Sequence, residues 1–178
     1  ELFFRFYKEV LLKATEIEPG QGFYDLKKLQ DFGMVHSIIT RRIAGLEERA
    51  GCSNVINMKG TVFHNVCPSC GREYSVEYMK NARGVPLCEK CMVPVRPKVC
   101  LFGEMIDNGI MTRVAEEVSR AEVLLVLGTT LHSPLCVQML QYYTGSNLIL
   151  VTDKEHYTDQ QADIVVYGRC DEFLNQLV

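Results

Sequence analysis

The sequence predicts an α/β protein with a doubly wound parallel sheet and a small inserted lobe that contains four cysteines. Short apolar segments alternate with amphipathic helical patterns, as in right-handed crossovers between parallel strands. One segment, E-V-L-L-V-L-G at 122–128, is apolar enough for a strand buried on both faces. Two C-x-x-C pairs interrupt the alternation. We therefore expect a large domain of residues 1–58 and 96–178 and a small lobe of residues 59–95.

Helical and extended patterns alternate before the lobe. Apolar residues at helical spacing predict an amphipathic first helix whose aromatic stripe lies in the core. Pro19-Gly20 ends that helix, and Gly33 ends the next one. In order, we expect helices at 2–14 and 23–32, a strand at 35–40, a short helix closed by Gly51, and extended segments at 55–59 and 62–66. No helix is predicted inside the lobe.

After the lobe the alternation continues to the end of the chain. Asp107 can cap a helix whose buried face carries Ile110 to Val118. Ser133-Pro134 opens another helix, because proline is favoured at the first helical position. The predicted elements are a strand at 96–102, the helix after Asp107, a strand at 122–128, the helix after Ser133, strands at 148–152 and 163–167, and a last helix at 171–177.

The four cysteines of the lobe predict a structural Zn²⁺ site. They read C-P-S-C at 67–70 and C-E-K-C at 88–91. Two such pairs supply the four thiolates of a closed tetrahedral shell, which leaves no open position for water or substrate. The predicted ligands are Cys67, Cys70, Cys88 and Cys91.

The alternative for these cysteines is a pair of disulfides in a secreted protein. No signal peptide or apolar span of membrane length is apparent in the sequence. The other four cysteines occur singly, mostly within apolar segments, as buried thiols do in a reducing compartment. We therefore expect a cytosolic protein that does not bind a membrane. The isolated cysteines are Cys52, Cys100, Cys136 and Cys170.

Composition describes an ordinary globular chain. Its 178 residues are 47% hydrophobic and 23% charged, with a formal net charge of -3. That charge argues against a nucleic-acid partner. Glu1 falls inside a helical pattern with no capping residue before it, so we expect the sequence to begin part-way through a longer protein.

The carboxyl ends of the predicted strands are the places where a parallel sheet binds ligands. Gly128-Thr129-Thr130 follows one strand, where a glycine allows close backbone approach and two hydroxyls can bind a phosphate or ribose. A Gly-Thr-Thr turn is as often plain turn chemistry. Asp153, at the end of the next strand, strengthens the nucleotide interpretation. Thr40-Arg41-Arg42 and Gly103-Glu104 follow two other strands.

Taken together, these motifs resemble those of the sirtuins, the NAD-dependent protein lysine deacylases. The resemblance runs nearly end to end from Phe3, in the family's order of motifs. Besides the four cysteines, it comprises I-T-R-R-I-A-G-L-E-E-R-A-G at 39–51, R-P-K-V-C-L-F-G-E at 96–104, V-L-L-V-L-G-T-T-L at 123–131 and A-D-I-V-V-Y-G-R-C-D-E-F-L at 162–174.

The resemblance implies a Rossmann-like domain and a zinc lobe, with a cleft between them in which NAD meets an acyl-lysine protein or peptide. In sirtuins the acyl oxygen attacks the nicotinamide-bearing ribose carbon, and a histidine then acts as general base on a ribose hydroxyl. By matching position, the cofactor residues are Gly128, Thr129, Thr130, Thr152, Asp153, Cys170 and Asp171. The substrate-binding residues are Phe102, Gly103 and Glu104.

Several catalytic positions depart from the family's pattern. Its T-Q-N-I-D reads T-R-R-I-A here, which places Arg41 and Arg42 at the Gln and Asn positions and Ala44 at the Asp position. Its catalytic His-Gly reads Lys59-Gly60, and its Asn after a later strand reads Thr152. The glycine-rich G-A-G-x-S loop that cradles the diphosphate is expected ahead of the first residue shown.

Two functional hypotheses follow. One is a divergent NAD-dependent deacylase or related ADP-ribosyl transferase, with Lys59 and Arg42 at the catalytic positions. The other is a non-catalytic, zinc-stabilised module that binds NAD, ADP-ribose or a protein. An ammonium ordinarily keeps its proton at pH 7 and cannot replace a neutral imidazole as a base, although a buried lysine can lose that proton. We expect weak or absent turnover, and we expect His64 to be a surface or packing residue.

A charge hypothesis also follows from the departures. Arg41, Arg42 and Lys59 are expected to converge on the pocket that accepts the nicotinamide ring and its ribose in the family. Such a pocket would favour an anion, because guanidinium groups match phosphate and carboxylate. The alternative is that the arginines point into solvent or pair with Glu47 and Glu48.

Overall fold

The computed structural model describes residues 1–101 and 103–178. In chain order its elements are α1 (Leu2–Glu9), a 3₁₀ helix (Leu11–Glu16), α2 (Gln21–Asp31), β1 (Ile38–Thr40), α3 (Leu46–Arg49), β2 (Val55–Asn57), β3 (Gly60–Val66), β4 (Glu73–Tyr74), α4 (Val76–Asn81), β5 (Arg96–Val99), α5 (Asn108–Arg120), β6 (Val123–Leu127), α6 (Pro134–Leu140), β7 (Asn147–Thr152), a second 3₁₀ helix (Tyr157–Gln161), β8 (Ile164–Tyr167) and α7 (Cys170–Asn175).

The parallel strands confirm the predicted α/β class. Strands β6, β7 and β8 form a parallel sheet in that order, and β1 pairs in parallel with β2. Helix α2 packs against α3 and α7, whereas α5 packs against α6 and β2. The parallel strands thus lie in two groups, and residues of β1 and of β6 line a common cleft.

The small lobe contains a helix that the sequence analysis missed. Helix α4 begins after Ser75, whose hydroxyl accepts a hydrogen bond from the Tyr78 amide at 3.1 Å. This N-cap satisfies an amide that the first turn would leave unbonded. Val76 and Met79, one turn apart, are buried against the lobe. Two apolar anchors and a capping serine are enough to stabilise one short helix there.

Strand β5 joins the sheet of the lobe. It pairs antiparallel with β3, and β3 pairs on its other edge with β4. We expected residues 96–102 to belong to the large domain, whereas β5 pairs with a strand of the lobe. The division into residues 1–58 with 96–178 and 59–95 stays a prediction.

The first helix packs on the lobe, and its aromatic stripe is only partly buried. Tyr7 is fully buried beside Val62 and Met79, and its hydroxyl donates to Asn65 Oδ1 at 3.0 Å. This burial raises the pKa of Tyr7. Phe6, in contrast, is 52% exposed. The prediction that the whole stripe is core was wrong, because the lobe covers only the side of α1 that carries Tyr7.

Strand β6 is not buried on both faces, which corrects a second expectation. Val123 is 47% exposed and the rest of the strand is half-buried. The reason is its position at one edge of the three-stranded sheet, next to the cleft. Strand β7, in the middle, carries the buried residues Leu148, Leu150 and Val151.

No helix within the described residues is long and apolar enough to cross a membrane.

Gly60 supports a first testable prediction. Its φ is 68°, and a Cβ added there would lie 1.8 Å from the Lys98 carbonyl oxygen across the β3–β5 pair. Gly60→Ala should therefore lower the free energy of unfolding by more than the ~1–2 kcal/mol that left-handed backbone costs an L-residue. Gly84→Ala is the matched control, since Gly84 has a φ of 74° but open space around it. Equal denaturation midpoints of the two variants would refute the steric argument.

Candidate functional site

The four thiols of the lobe meet at one point. The Sγ atoms of Cys67, Cys70, Cys88 and Cys91 all lie within 4.8 Å of one another. Cys70 Sγ and Cys88 Sγ are 3.8 Å apart, about the edge of a tetrahedron with Zn–S bonds of ~2.3 Å. None of the eight cysteines forms a disulfide, which favours the metal site over the disulfide alternative. The residues therefore fit a four-thiolate metal site.

Both knuckles of this cluster are built in the same way. The Cys67 carbonyl accepts from the Gly71 amide at 2.9 Å, and the Cys88 carbonyl accepts from the Met92 amide at 2.8 Å. Gly71 and Met92 both have a positive φ, which turns the chain tightly around the sulfur atoms. A hydrogen bond from the Tyr74 hydroxyl, followed by bonds from backbone amides, lowers the pKa of Cys88 to about 6. A lowered pKa favours the thiolate form that binds metal.

A second candidate site is a cleft of about 800 Å³ at the carboxyl ends of the parallel strands. It contains five of the predicted cofactor residues, Gly128, Thr129, Asp153, Cys170 and Asp171, together with Arg41 and Arg42. Apolar side chains from β1, β6 and α6 form its floor. The cleft combines an apolar base with a polar rim, which is typical of small-molecule sites.

Turn geometry at two strand ends sets the rim. Thr40 ends β1, and its hydroxyl accepts from the Arg42 amide at 3.1 Å, which turns the chain so that both arginines follow at the rim. Gly128 has a φ of 66°, and its amide donates to the Val151 carbonyl at 2.9 Å. A Cβ added at Gly128 would be 3.5 Å from Cys170 Sγ, so the ends of β6 and β7 lie against the start of α7.

Two predicted cofactor residues are not among those that line the cleft. Thr152 is buried, and its hydroxyl is engaged with the backbone of Lys154 at 3.3 and 3.4 Å. Thr130 is half-buried, and its carbonyl accepts from the Ser133 amide at the start of α6. Both lie beside the cleft rather than in it, and their assignment stays a prediction.

Two of the predicted substrate residues, Gly103 and Glu104, are not among the residues that line the cleft. The Glu104 carboxylate accepts hydrogen bonds from the Leu101 amide and from Arg96, which together lower its pKa. Gly103 has a φ of 84° with nothing near a would-be Cβ. Phe102, the third predicted residue, lies outside the described residues. The Glu104 side chain therefore braces its own loop.

Lys59 is not among the residues that line the cleft, and the expected convergence of three cations stays a prediction. It follows β2 closely, and Asn57 at the end of β2 is the register partner of Thr40. Met58 lines the cleft, but the adjacent Lys59 does not. The Lys59 carbonyl accepts from the Cys100 amide at 2.9 Å, because the chain here enters β3 alongside β5. Only Arg41 and Arg42 of the three remain in the cleft wall.

The charges of the cleft are partly paired. Arg169 forms ion pairs with Asp171 at 2.6 Å and with Glu172 at 3.5 Å. Burial raises the pKa of the Cys170 thiol, Arg42 opposes this rise, and Asp171 and Asp153 add to it. The charges of Arg42, Asp171 and Asp153 thus all act on the Cys170 thiol.

Sequence analysis missed two groups of cleft residues. One is the first turn of α2 with its cap, Gly20 to Phe23. The two glycines around Gln21 are the signal that could have indicated close approach of a ligand. The other is Glu47, a cleft-lining residue only 3% exposed with Oε2 unpaired. A lone glutamate before a helix end carries no comparable signal.

The cleft offers binding groups, but no histidine is among the described residues that line it. His64 is an exposed residue of β3 that pairs with Glu73 at 2.9 Å, as expected for a surface histidine. Guanidinium groups, helix-start amides and hydroxyls can hold phosphate, carboxylate and ribose groups. The arrangement therefore offers groups that can bind a nucleotide-like anion.

Comparisons with known proteins agree on one family. The model of the Sir2 family matches residues 1–134. An NAD-dependent protein deacetylase of Clostridium acetobutylicum is 31% identical over the whole chain, which spans 73% of that relative. A solved sirtuin from work on sirtuin substrate affinity has a TM-score of 0.89 at 28% identity, with 99% of this chain and 74% of that one covered. A Sir2 structure with a p53 peptide and NAD⁺ has a TM-score of 0.84 at 29% identity, covering 98% and 75%.

Proposed function

The chain belongs to the Sir2 family, and from that premise we propose that its cleft binds NAD or ADP-ribose while deacylation is weak or absent. The observation that carries the proposal is the mismatch within one site. The binding features, Gly128 and Thr129 at the strand end and the first turn of α2, line the cleft. The residues at the catalytic positions are Lys59, which lies outside the cleft lining, and Arg42, a cation.

Binding is supported by the groups that converge on the cleft. The first turn of the 11-residue helix α2 lines the cleft and has no side-chain cap, which places the positive end of the helix dipole at the cleft. Gly128 has no side chain, so a ligand can approach its backbone beside Cys170, and Thr129 contributes a hydroxyl to the cleft. Asp153 stands at the end of β7, where a carboxylate suits a ribose hydroxyl. NAD, when bound, supplies the ribosyl group of the family's reaction.

Loss of turnover is supported by the residues at the reacting end. Ala44, at the position of the family's Asp, is buried and offers no hydrogen bond. Arg41 and Arg42 replace two neutral amides with cations, which oppose the positive nicotinamide ring of NAD. A protein that keeps the fold and the nucleotide cleft would then act by binding, with an acyl-lysine protein or peptide as the partner beside Gly103 and Glu104.

Zinc completes the proposal. We infer that Cys67, Cys70, Cys88 and Cys91 hold one Zn²⁺ per chain, because their sulfur spacing and tight knuckles match its tetrahedral preference. Such a closed shell provides stability and no catalysis. The metal would secure the lobe whose strands β3 and β5 adjoin Lys59.

Calorimetric titration tests nucleotide binding. ADP-ribose and NAD should bind the wild-type chain, and Thr129→Phe should weaken both at least tenfold, because a large ring would occupy the cleft beside Gly128. Thr112→Phe is the matched control, since Thr112 is exposed on α5 and outside the cleft lining. Absence of binding to the wild type, or equal affinities in the two variants, would contradict the proposed site.

A further inference from the structure

Arg41 and Arg42 are cations of the cleft wall that have no ion-pair partner within the described residues. Both side chains are exposed. The sequence suggested Glu47 and Glu48 as partners, but Glu47 is buried, and Glu48 accepts a hydrogen bond from the Asn57 side chain. Arg169, the third arginine of the wall, is already committed to Asp171 and Glu172. The charges of Arg41 and Arg42 are therefore available to a ligand.

The Arg42 side chain, although exposed, packs against a neighbouring aromatic ring. The Arg42 guanidinium lies over the ring of Phe23, 5.7 Å from its centroid. Its backbone amide is fixed by the Thr40 hydroxyl. A guanidinium that lies over an aromatic face still has its N–H groups at its own planar edges. An anion can accept hydrogen bonds from them there.

The same part of the wall carries a second source of positive potential. Phe23 belongs to the first turn of α2, whose residues Gly20 to Phe23 line the cleft. Arg42 therefore lies beside the positive end of the α2 dipole, and the two effects attract the same kind of group. The opposing carboxylates of the cleft are Glu47, which is buried, and Asp153 and Asp171, which approach Cys170 together with Arg42.

We propose that Arg41, Arg42 and the start of α2 form an anion subsite of the cleft, which takes a carboxylate or phosphate group of a bound nucleotide. This inference rests on the proposed nucleotide site. It adds which chemical group of the nucleotide Arg41 and Arg42 bind. Neutral amide side chains at the same positions would suit a neutral carboxamide. Two guanidinium groups instead favour an acidic ligand over NAD, whose pyridinium ring is cationic.

Two nucleotides that differ in one functional group test the subsite. NAD carries a carboxamide on its pyridine ring, whereas its nicotinic acid counterpart carries a carboxylate. If the ring group contacts the arginines, the acid should bind about tenfold more tightly than NAD, since a charged hydrogen bond contributes about that factor. ADP-ribose, which lacks the ring, should bind between the two. Calorimetry on wild type, Arg41→Ala and Arg42→Ala would measure these affinities.

The outcomes separate the two sources of the anion. A preference for the acid that disappears in the arginine variants would assign the subsite to a carboxylate. A tenfold loss of affinity for all three nucleotides in those variants would assign it to phosphate. Arg113→Ala, on the exposed side of α5 outside the cleft, is the control and should change nothing.

Two results would overturn the subsite. In the first, each nucleotide binds Arg41→Ala and Arg42→Ala with an affinity within about a factor of two of its affinity for the wild type. Arg41 and Arg42 then do not contact the ligand, although the proposed nucleotide site stands. If no nucleotide binds the wild type, the proposed function and the subsite fall together. Thermal unfolding of each variant establishes that a loss of affinity is not a loss of fold.

Discussion

Removal of zinc is expected to unfold the small lobe of this protein. Two of the four sulfur ligands, Cys67 and Cys88, are themselves part of the buried cluster that contains Val62, Met79 and Val95. Metal binding contributes ~10–16 kcal/mol in zinc-finger peptides, which is comparable to the whole stability of a domain. The remaining apolar contacts of so small a lobe are too few to replace that contribution.

The unfolding should spread beyond the lobe. Tyr7 and Leu12, from the first helical segment, complete the same buried cluster. We therefore expect hydrogen exchange to accelerate in α1 as well as in β3 and α4 when a chelator is added, while β7 stays protected. Hydrogen exchange with mass spectrometry measures this pattern directly.

Single substitutions sharpen the zinc experiment. Cys88→Ser should lose the metal and the folded lobe, because it removes one of four ligands from a closed shell. Cys52→Ser is the matched control, since Cys52 is buried yet lies outside the cluster. Well under one zinc per chain in freshly purified protein with reduced thiols and a folded lobe would contradict the zinc proposal.

Sequence alone predicted the features that depend on local spacing. The two C-x-x-C pairs indicated the cluster that the structure brings together, because each pair closes its own knuckle within a few residues. Gly128 and Asp153 were likewise expected at strand ends and line the cleft. Parallel order follows from alternating elements, since few topologies satisfy right-handed crossovers.

Long-range packing was beyond such reasoning. Periodicity shows that α1 has an apolar face but not that the lobe covers Tyr7 and leaves Phe6 exposed. The apolar run of β6 predicted burial, but strand order decides which strands lie at an edge. Lys59 was expected to converge with Arg41 and Arg42, yet it is not among the cleft-lining residues, and its carbonyl is bonded to the Cys100 amide where the chain enters β3. Each case depends on contacts between residues far apart in sequence.

We also expect a large loss of deacylation rate. With an acetyl-lysine peptide and NAD, the chain should turn over at least ~100-fold more slowly than its catalytically intact relatives, since a positioned general base typically contributes 10²–10⁴-fold. Groups that act as a unit are not lost additively, so the changes at Lys59, Arg42 and Ala44 should together abolish detectable turnover.

Restoring one group should not restore the reaction. Lys59→His returns an imidazole, but Arg42 still places a cation in the cleft wall and buried Ala44 still offers no hydrogen bond. The variant that combines Lys59→His with Arg41→Gln, Arg42→Asn and Ala44→Asp is the informative partner. A gain confined to the combined variant would assign the loss to the set, whereas full recovery by Lys59→His alone would assign it to the base.

The central claim is that this Sir2-family chain keeps a nucleotide cleft but has lost deacylation. Release of nicotinamide from NAD, measured with and without acetyl-lysine peptide on zinc-loaded wild-type protein, tests it most directly. We predict no release above the enzyme-free background while ADP-ribose still binds the same preparation. Nicotinamide release that requires both the peptide and the protein would contradict the claim.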